Sequence, residues 1–343
     1  MKKTDIDELL EDLQTSFSDR VSIGSKNALQ AVQNWVPTGS TMLDAAVRHG
    51  LPLGRVVELT GKSGTGKSAL AFSVLAQTQK LGGIAVLLDS ECAADLDFAQ
   101  KFGVDTDKLV IAIPETAEEI YDLTKNIIEK IRETLPKKLP ITVVADSCTI
   151  STQNESEKTM NEPYKMGENA KTQRRGLRGI LSLINEQNVL FIGINHITAN
   201  LNPYGPKETT TGGSGWEFFP SVRIKIHKLT KIQDAATKSV LGVQMQALVF
   251  KNRHDFPYRE ALLVLDFETG LDDIGALIEY GRSVGIIGRK GRWTVFQDKS
   301  YTKQDLVAHL KEDAVALQYL KDTAVHVMKT AQVSDNVTED VDE

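Results

Sequence analysis

The chain has 343 residues, with 46 acidic and 40 basic side chains giving a formal net charge of −6. That length holds one large α/β domain and a smaller appendage, and the acidic balance argues against a generally basic nucleic-acid binder while allowing a local basic patch. The two cysteines, Cys92 and Cys148, have neither CxxC nor metal-ligand spacing, which argues against a disulfide framework or a zinc site and for a reducing compartment. No apolar run reaches membrane-spanning length, and Met1-Lys2-Lys3 is followed by acidic residues, so a soluble intracellular protein without a membrane partner is expected.

Residues 4–18 place Ile6, Leu9, Leu10, Leu13 and Phe17 on one helical stripe with acidic residues opposite. The stripe can dock on the protein's own core or on a neighbouring subunit; both readings stand. Residues 1–36 are expected to be this helix and a linker. From Trp35 to Gly270 apolar strands alternate with helices, predicting a mainly parallel sheet covered on both faces.

The first such strand, Val56–Thr60, runs into Gly61-Lys62-Ser63-Gly64-Thr65-Gly66-Lys67-Ser68, a G-x-x-x-x-G-K-[ST] phosphate loop. A helix over 67–81 follows. Glycines let backbone N–H groups curl around a triphosphate, and the helix N-terminus adds its positive end. Lys67 is expected to reach the β- and γ-phosphates and Ser68 to bind Mg²⁺, so ATP and Mg²⁺ are the expected ligands. The next strand, Ile84–Asp89, ends beside Glu91. That carboxylate is either the general base for hydrolysis or a cap on a helix near 93–102. After Leu109–Ile113 and a helix over 117–135, the strand Ile141–Asp146 ends in a carboxylate suited to hold Mg²⁺ next to Ser68.

A loop over 152–167 leads into a helix over 165–187 that carries Lys171, Arg174, Arg175 and Arg178 along one side. Such a stripe suits phosphates or is simply a solvated face. The strand Val189–Asn195 ends at His196, read here as a group that hydrogen-bonds toward the γ-phosphate and orders the following loop. That loop, 197–213, closes on Thr209-Thr210-Thr211-Gly212-Gly213, whose hydroxyls and amides can hold phosphates without reading sequence. Val222–Lys228, Val243–Lys251 and Ala261–Phe267 follow without helices between them, predicting an antiparallel extension. After Gly270 come a helix near 273–284, a hairpin through Lys290-Gly291 and helices over 302–328. Residues 271–330 are read as a small α+β C-terminal domain, and 331–343, with five acidic residues and no basic one, as a disordered acidic tail.

The stretches GKSGTGKS, LLDSECAADLDFAQKFGVD, VVADS, MGENAKTQRRGLRGILSLI, LFIGINHI and PYGPKETTTGGSGWEFFPSVRI match, in order and spacing, the RecA family of recombinases. The resemblance runs from about Pro37 to Gly270, and His196 after Asn195 is similar to the phage UvsX branch. It implies a RecA-type ATPase core over 37–270 and a DNA-dependent ATPase. Such a protein forms helical filaments of its own copies on single-stranded DNA and pairs them with homologous duplex. Single-strand-binding and loader proteins are further implied partners, and the cytoplasm of a bacterial or phage-infected cell the implied location. The resemblance implies Glu91 as the catalytic carboxylate and Asp95 and Phe98 as adenine contacts, with Phe98 replacing a tyrosine. Lys251 and Arg253 match cations that reach the neighbouring subunit's ATP. Lys171 and Arg178 match DNA-contacting positions, and Tyr204 matches a loop aromatic that stacks on or wedges between bases. A ring-forming motor of helicase type shares the phosphate loop but leaves ETTTGG unexplained.

Overall fold

The computed structural model describes residues 5–16, 32, 34–153, 167–199, 208–234 and 237–330. Tyr204, much of both expected loops and the acidic segment 331–343 lie outside the described residues. Helix α1 (Asp5–Ser16) leaves Ile6 67% and Leu9 56% exposed, while Phe17 of the expected stripe lies outside the described residues.

Two short strands, β1 (Trp35–Val36) and β2 (Leu51–Pro52), pair across α2 (Thr41–Val47). Ser40 caps α2 by accepting from the Leu43 amide. The sequence pattern gave no sign of this helix, because seven residues of TMLDAAV hold less than two turns of periodicity.

The chain then alternates β3 (Arg55–Gly61), α3 (Lys67–Lys80), β4 (Ile84–Asp89), α4 (Leu96–Lys101), β5 (Leu109–Ala112), α5 (Ala117–Thr134), β6 (Ile141–Asp146), α6 (Glu168–Glu186) and β7 (Val189–Ala199). After β8 (Glu208–Thr210) and the one-turn α7 (Ser214–Phe218) come β9 (Val222–Gln233), β10 (Val240–Asn252), β11 (Arg259–Asp266) and β12 (Gly270–Leu271). Strands β3 to β12 join one sheet in the order β12-β11-β10-β9-β3-β7-β6-β4-β5, with β8 on β7.

Strands β3 to β7 are parallel, as their unbroken apolar runs require. The expected antiparallel extension begins one strand later than the pattern implied. β9 pairs parallel to β3, and β10 and β11 are antiparallel to their neighbours.

Period-two alternation divides the core between the sheet faces. On β7, Leu190, Ile192 and Ile194 join the cluster under α3 with Leu70, Val74 and Leu75. Val189 and Phe191 join Ile120, Ile128, Leu177, Ile180 and Trp216 beneath α5, α6 and α7. Each such buried side chain contributes about 1.5–3 kcal/mol, so the sheet is a stiff platform for whatever leaves its edge. Gly193 is required here, because a Cβ would strike the Trp216 ring.

The C-terminal segment comprises α8 (Asp273–Ser283), a three-stranded sheet of β13 (Gly288–Lys290), β14 (Trp293–Phe296) and β15 (Lys299–Tyr301), then α9 (Lys303–Glu312) and α10 (Ala314–Thr330). The hairpin turn falls at Gly291, as the sequence predicts. Leu306, Leu310, Leu320 and Ala324 are continuous with the main core. Asp273 accepts from the Thr41 amide and hydroxyl, both at 2.7 Å, and pairs with Lys321 at 3.2 Å, which ties the segment to α2.

Beside this joint, burial pushes the Asp44 carboxyl up to about 7, against hydrogen bonds from the Thr38 amide and hydroxyl. A carboxyl whose folded value exceeds its unfolded value near 3.9 favours the folded state while protonated. Its contribution is complete below about pH 4 and disappears as pH rises through 7. Asp44→Asn keeps an acceptor for Thr38 and removes the titration. The variant is expected to be more stable than the parent at pH 8, by on the order of a few kcal/mol, and to differ least near pH 4. Parallel stability–pH curves for the two proteins would reject this assignment.

Candidate functional site

The C-terminal ends of β3, β4, β6 and β7 meet at one edge of the sheet, where open α/β folds bind ligands. β3 hands directly into the phosphate loop, which closes with Gly66 at φ 94° as the residue before α3. The glycines are sterically demanded. A Cβ at Gly66 would collide with Met245 Sδ, and one at Gly61 with the Ile226 carbonyl. Lys67 is buried and donates to the carbonyls of Gly61 and Lys62, each at 3.0 Å. Gly64 has open space where its Cβ would stand and is required by its φ of 71° instead. Ser63 is exposed, and Thr65 Oγ1 donates to the Lys62 carbonyl at 2.9 Å, fixing the loop's curl.

Ser68 donates to Asp146 Oδ2 at 2.5 Å, so the two expected Mg²⁺ residues meet although 78 positions separate them. Burial pushes the Asp146 carboxyl up, the Ser68 hydrogen bond and Lys67 oppose that shift, and Glu91 and Asp89 add to it. Burial also lowers the Lys67 ammonium, while Asp146 and Glu91 hold it up. The touching Ser68 hydroxyl and Asp146 carboxylate, with Glu91, Asp89 and Lys67 near enough to act on Asp146, make an oxygen-rich site. These residues fit a hydrated divalent cation of the Mg²⁺ type.

The open question about Glu91 has a geometric answer. Asp89 Oδ atoms accept from the Ala93 and Ala94 amides at 3.3 and 2.9 Å, and Asp95 caps α4 by accepting from Phe98 N at 3.0 Å. Capping is therefore done by Asp89 and Asp95, and Glu91 is left half exposed at the sheet edge. Its Oε1 lies 3.3 Å from His196 Nε2. Phe98 packs edge-on against Phe72 and Phe102, in an aromatic cluster on the α3 side. The structure thus gives Asp95 and Phe98 local structural roles.

His196 ends the register of β7 opposite Gly61 and leads into the segment returning as β8. That segment is held by a network the sequence pattern did not disclose. Buried Glu58 on β3 pairs with Arg223 on β9 and accepts from Asn195 Nδ2 at 2.8 Å. Asn195 also donates to the Thr211 carbonyl at 2.9 Å and accepts from the Thr211 hydroxyl at 2.5 Å. Arg223 reaches Thr210 Oγ1 at 3.2 Å, and Thr149 and Thr211 hydroxyls lie 2.8 Å apart. The Thr210 and Thr211 hydroxyls are therefore turned inward in this state. Thr209 pairs with Thr198, while Gly212 and Gly213, at φ 84° and 71°, lead into α7.

On α6, Lys171, Arg174, Arg175 and Arg178 are all exposed, and none pairs with a carboxylate among the described residues. Lys171 and Arg174 lie in the first two turns, next to the sheet edge, and the Arg174 backbone packs on Gly215 of α7. Arg175 instead lines a groove between α5 and α6 with Glu118, Asp122 and Lys125.

Lys251 and Arg253 are remote from this edge. Lys251 is level with Arg223 and through it with Glu58, midway along β3, and the Arg253 amide donates to the Ser221 carbonyl, closer to the start of that strand. Their side chains donate to backbone carbonyls of α7. Lys251 Nζ reaches Glu217 O at 2.5 Å and Phe218 O at 3.1 Å, and Arg253 reaches Phe218 O at 2.8 Å. Burial, with Arg253 and Arg223 adding to it, pushes the Lys251 ammonium down to about 8.

A sequence-family model of the RecA N-terminal domain matches residues 4–272, through α1 and the whole sheet. The chain belongs to the RecA family. The protein RecA of Nitratidesulfovibrio vulgaris is 34% identical over 283 residues, covering 81% of this chain and 77% of the relative. RecA of Helicobacter pylori strain 26695 is 31% identical over 283 residues, covering 81% and 79%. RecA of the Wolbachia from Brugia malayi is 34% identical over 260 residues, covering 75% and 71%. RecA membership makes the chain a recombinase, and the ring-motor alternative is not favoured. The match also takes in the N-terminal helix, where the likeness in letters was thin. No described helix is long and apolar enough to cross a membrane.

Proposed function

We propose that the chain polymerises on single-stranded DNA as an ATP-dependent filament, hydrolyses ATP at subunit boundaries and exchanges strands with homologous duplex. The observation that carries this reading is one sheet edge. There Lys67, the Ser68–Asp146 pair and the Glu91–His196 contact converge, and β7 continues from His196 into the segment closed by Thr209–Gly213.

In this reading the loop amides and Lys67 bind the triphosphate, with Asp95 and Phe98 near the base. Ser68 and Asp146 would hold Mg²⁺, which when bound spreads the charge of the β- and γ-phosphates. Glu91 accepts the proton of the attacking water, within a site that orients that water for in-line attack. Its partner His196 senses the γ-phosphate and passes the change to the strand and loop beyond it. DNA phosphates are held without sequence preference by Lys171, Arg174 and Arg178 on α6, with Arg175 at the margin, and by Gly212 and Gly213 amides. Thr209, Thr210 and Thr211 join them once their inward hydrogen bonds are exchanged, and Tyr204 stacks on bases. The exposed stripe of α1 docks the N-terminal segment 1–36 on the next copy, the segment after Gly270 acts as a small appended domain, and the acidic residues after Thr330 compete with DNA.

The test is strand exchange between a circular single strand and homologous linear duplex, with Mg-ATP. Joint molecules are expected with the parent protein and none with Lys67→Ala. Open helical filaments are expected by electron microscopy, and closed rings or an absence of joint molecules would overturn the reading.

A further inference from the structure

The foot of the second loop is tied to the phosphate loop by charge. Lys62 Nζ lies 3.0 Å from Glu208 Oε1, and Lys225 Nζ lies 3.2 Å from Glu208 Oε2. Glu208 opens β8, directly before the threonines that join the Glu58–Arg223–Asn195 network. One carboxylate thus bridges the phosphate loop, the β9 strand and the returning DNA segment. The hydrogen bond from Lys62 is the foremost cause holding this carboxyl below its usual range, with Lys225 adding to it against burial.

The ammonium of Lys62 has no part in shaping its own loop. Only its backbone carbonyl is used, as acceptor for Thr65 and Lys67, and its side chain is 73% exposed against 33% for Glu208. The head group is free to choose between two anions. A polyphosphate cradled by the loop amides places negative charge beside it. That charge attracts the ammonium and repels the carboxylate, so both effects weaken the same ion pair. Lys225 keeps Glu208 from being left unpaired when Lys62 leaves.

We propose that Lys62 is a positioning residue that exchanges Glu208 for nucleotide phosphate, so that nucleotide capture unlatches the foot of the DNA loop. The nucleotide half of this exchange rests on the phosphate-loop geometry, and the DNA half rests on the function proposed above. Coupling is reciprocal: by the factor that nucleotide weakens the Lys62–Glu208 pair, the pair weakens nucleotide binding, so loss of the pair must tighten it.

The test is a double-mutant cycle read with a fluorescent ATP analogue and Mg²⁺, without DNA and at low ionic strength. Glu208→Gln frees Lys62 and is expected to tighten binding about two- to fivefold, the range of an exposed ion pair. The gain should persist in a Lys62→Arg background, vanish in a Lys62→Gln background, and fade in 0.5 M salt as screening predicts. An unchanged or weakened affinity in Glu208→Gln overturns the exchange. So does a gain of equal size in the Lys62→Gln background, which would report only the general field of a carboxylate.

A second arm measures binding of a fluorescein-labelled oligo-dT with and without ATPγS. There Glu208→Gln is expected to shrink the nucleotide-induced gain in DNA affinity by a similar two- to fivefold. A positive nucleotide cycle with no DNA binding by the parent protein would support the exchange and sink the DNA reading. A flat nucleotide cycle with ATP-responsive DNA binding would do the reverse.

Discussion

Glu91→Gln lowers kcat for ATP hydrolysis by about 10²–10⁴-fold, the usual worth of a positioned general base, while nucleotide and DNA binding stay close to the parent. The expectation follows from what Glu91 does not do. The strand end needs carboxylates to cap the turn and α4, and Asp89 and Asp95 supply them. Glu91 takes no backbone amide among its described contacts, and its one close partner is His196. A glutamine has the same length and still meets the imidazole, so the fold and the loop contact survive while the proton acceptor is lost. The decisive measurements are steady-state ATPase on single-stranded DNA and nucleotide affinity in parallel. A kcat within about tenfold of the parent would remove Glu91 from the chemistry. Lost nucleotide binding with intact folding would instead move it into the binding shell.

How much of this site could be read in the sequence depends on how local each part is. The phosphate loop is eight adjacent residues whose glycines are fixed by backbone conformation, so letters alone suffice. Asp146 was legible because a carboxylate ending a wholly buried strand stands at the ligand edge of the sheet. The Glu58–Asn195–Arg223 network was not legible. Its partners lie 137 and 165 positions apart, on strands adjacent only through the sheet order. The signal was present as a charged residue inside the apolar run Arg55–Thr60, and a buried charge demands a partner. The role of Glu91 was ambiguous because it lies within reach of the same turn as Asp89, and only coordinates separate capping from free carboxylates. The cationic stripe on α6 was correct in spacing. It missed that Arg175 turns toward the α5 groove, since a helical wheel fixes direction and not the neighbours a side chain meets.

Lys251 and Arg253 supply the prediction with the largest effect. In one chain they stand level with Glu58, midway along β3, and before it, while the phosphate loop leaves the strand's far end at Gly61. Three to five residues at about 3.3 Å each, plus two inter-strand steps of about 4.8 Å, separate them from their own loop. Their head groups also point the other way, onto the carbonyls of Glu217 and Phe218. They form a cationic pair with no carboxylate bound among the described residues, and Lys251 is held down to about 8 mainly by burial and then by Arg253. An arriving phosphate relieves that repulsion. In the proposed filament a neighbour's γ-phosphate would reach them, and cations so placed are worth about 10³–10⁵ in rate. Lys251→Ala/Arg253→Ala and Lys67→Ala should each be inactive alone. Mixed in equal amounts on DNA, they should recover about a quarter of the parent ATPase, because random order makes that share of junctions complete. The first variant contributes an intact phosphate loop and the second an intact pair of cations. If the pair instead served its own subunit, no junction would be complete and the mixture would stay as dead as its parts. That outcome would also remove the reason for ATP to require a neighbour, leaving the polymer with no chemical role in hydrolysis.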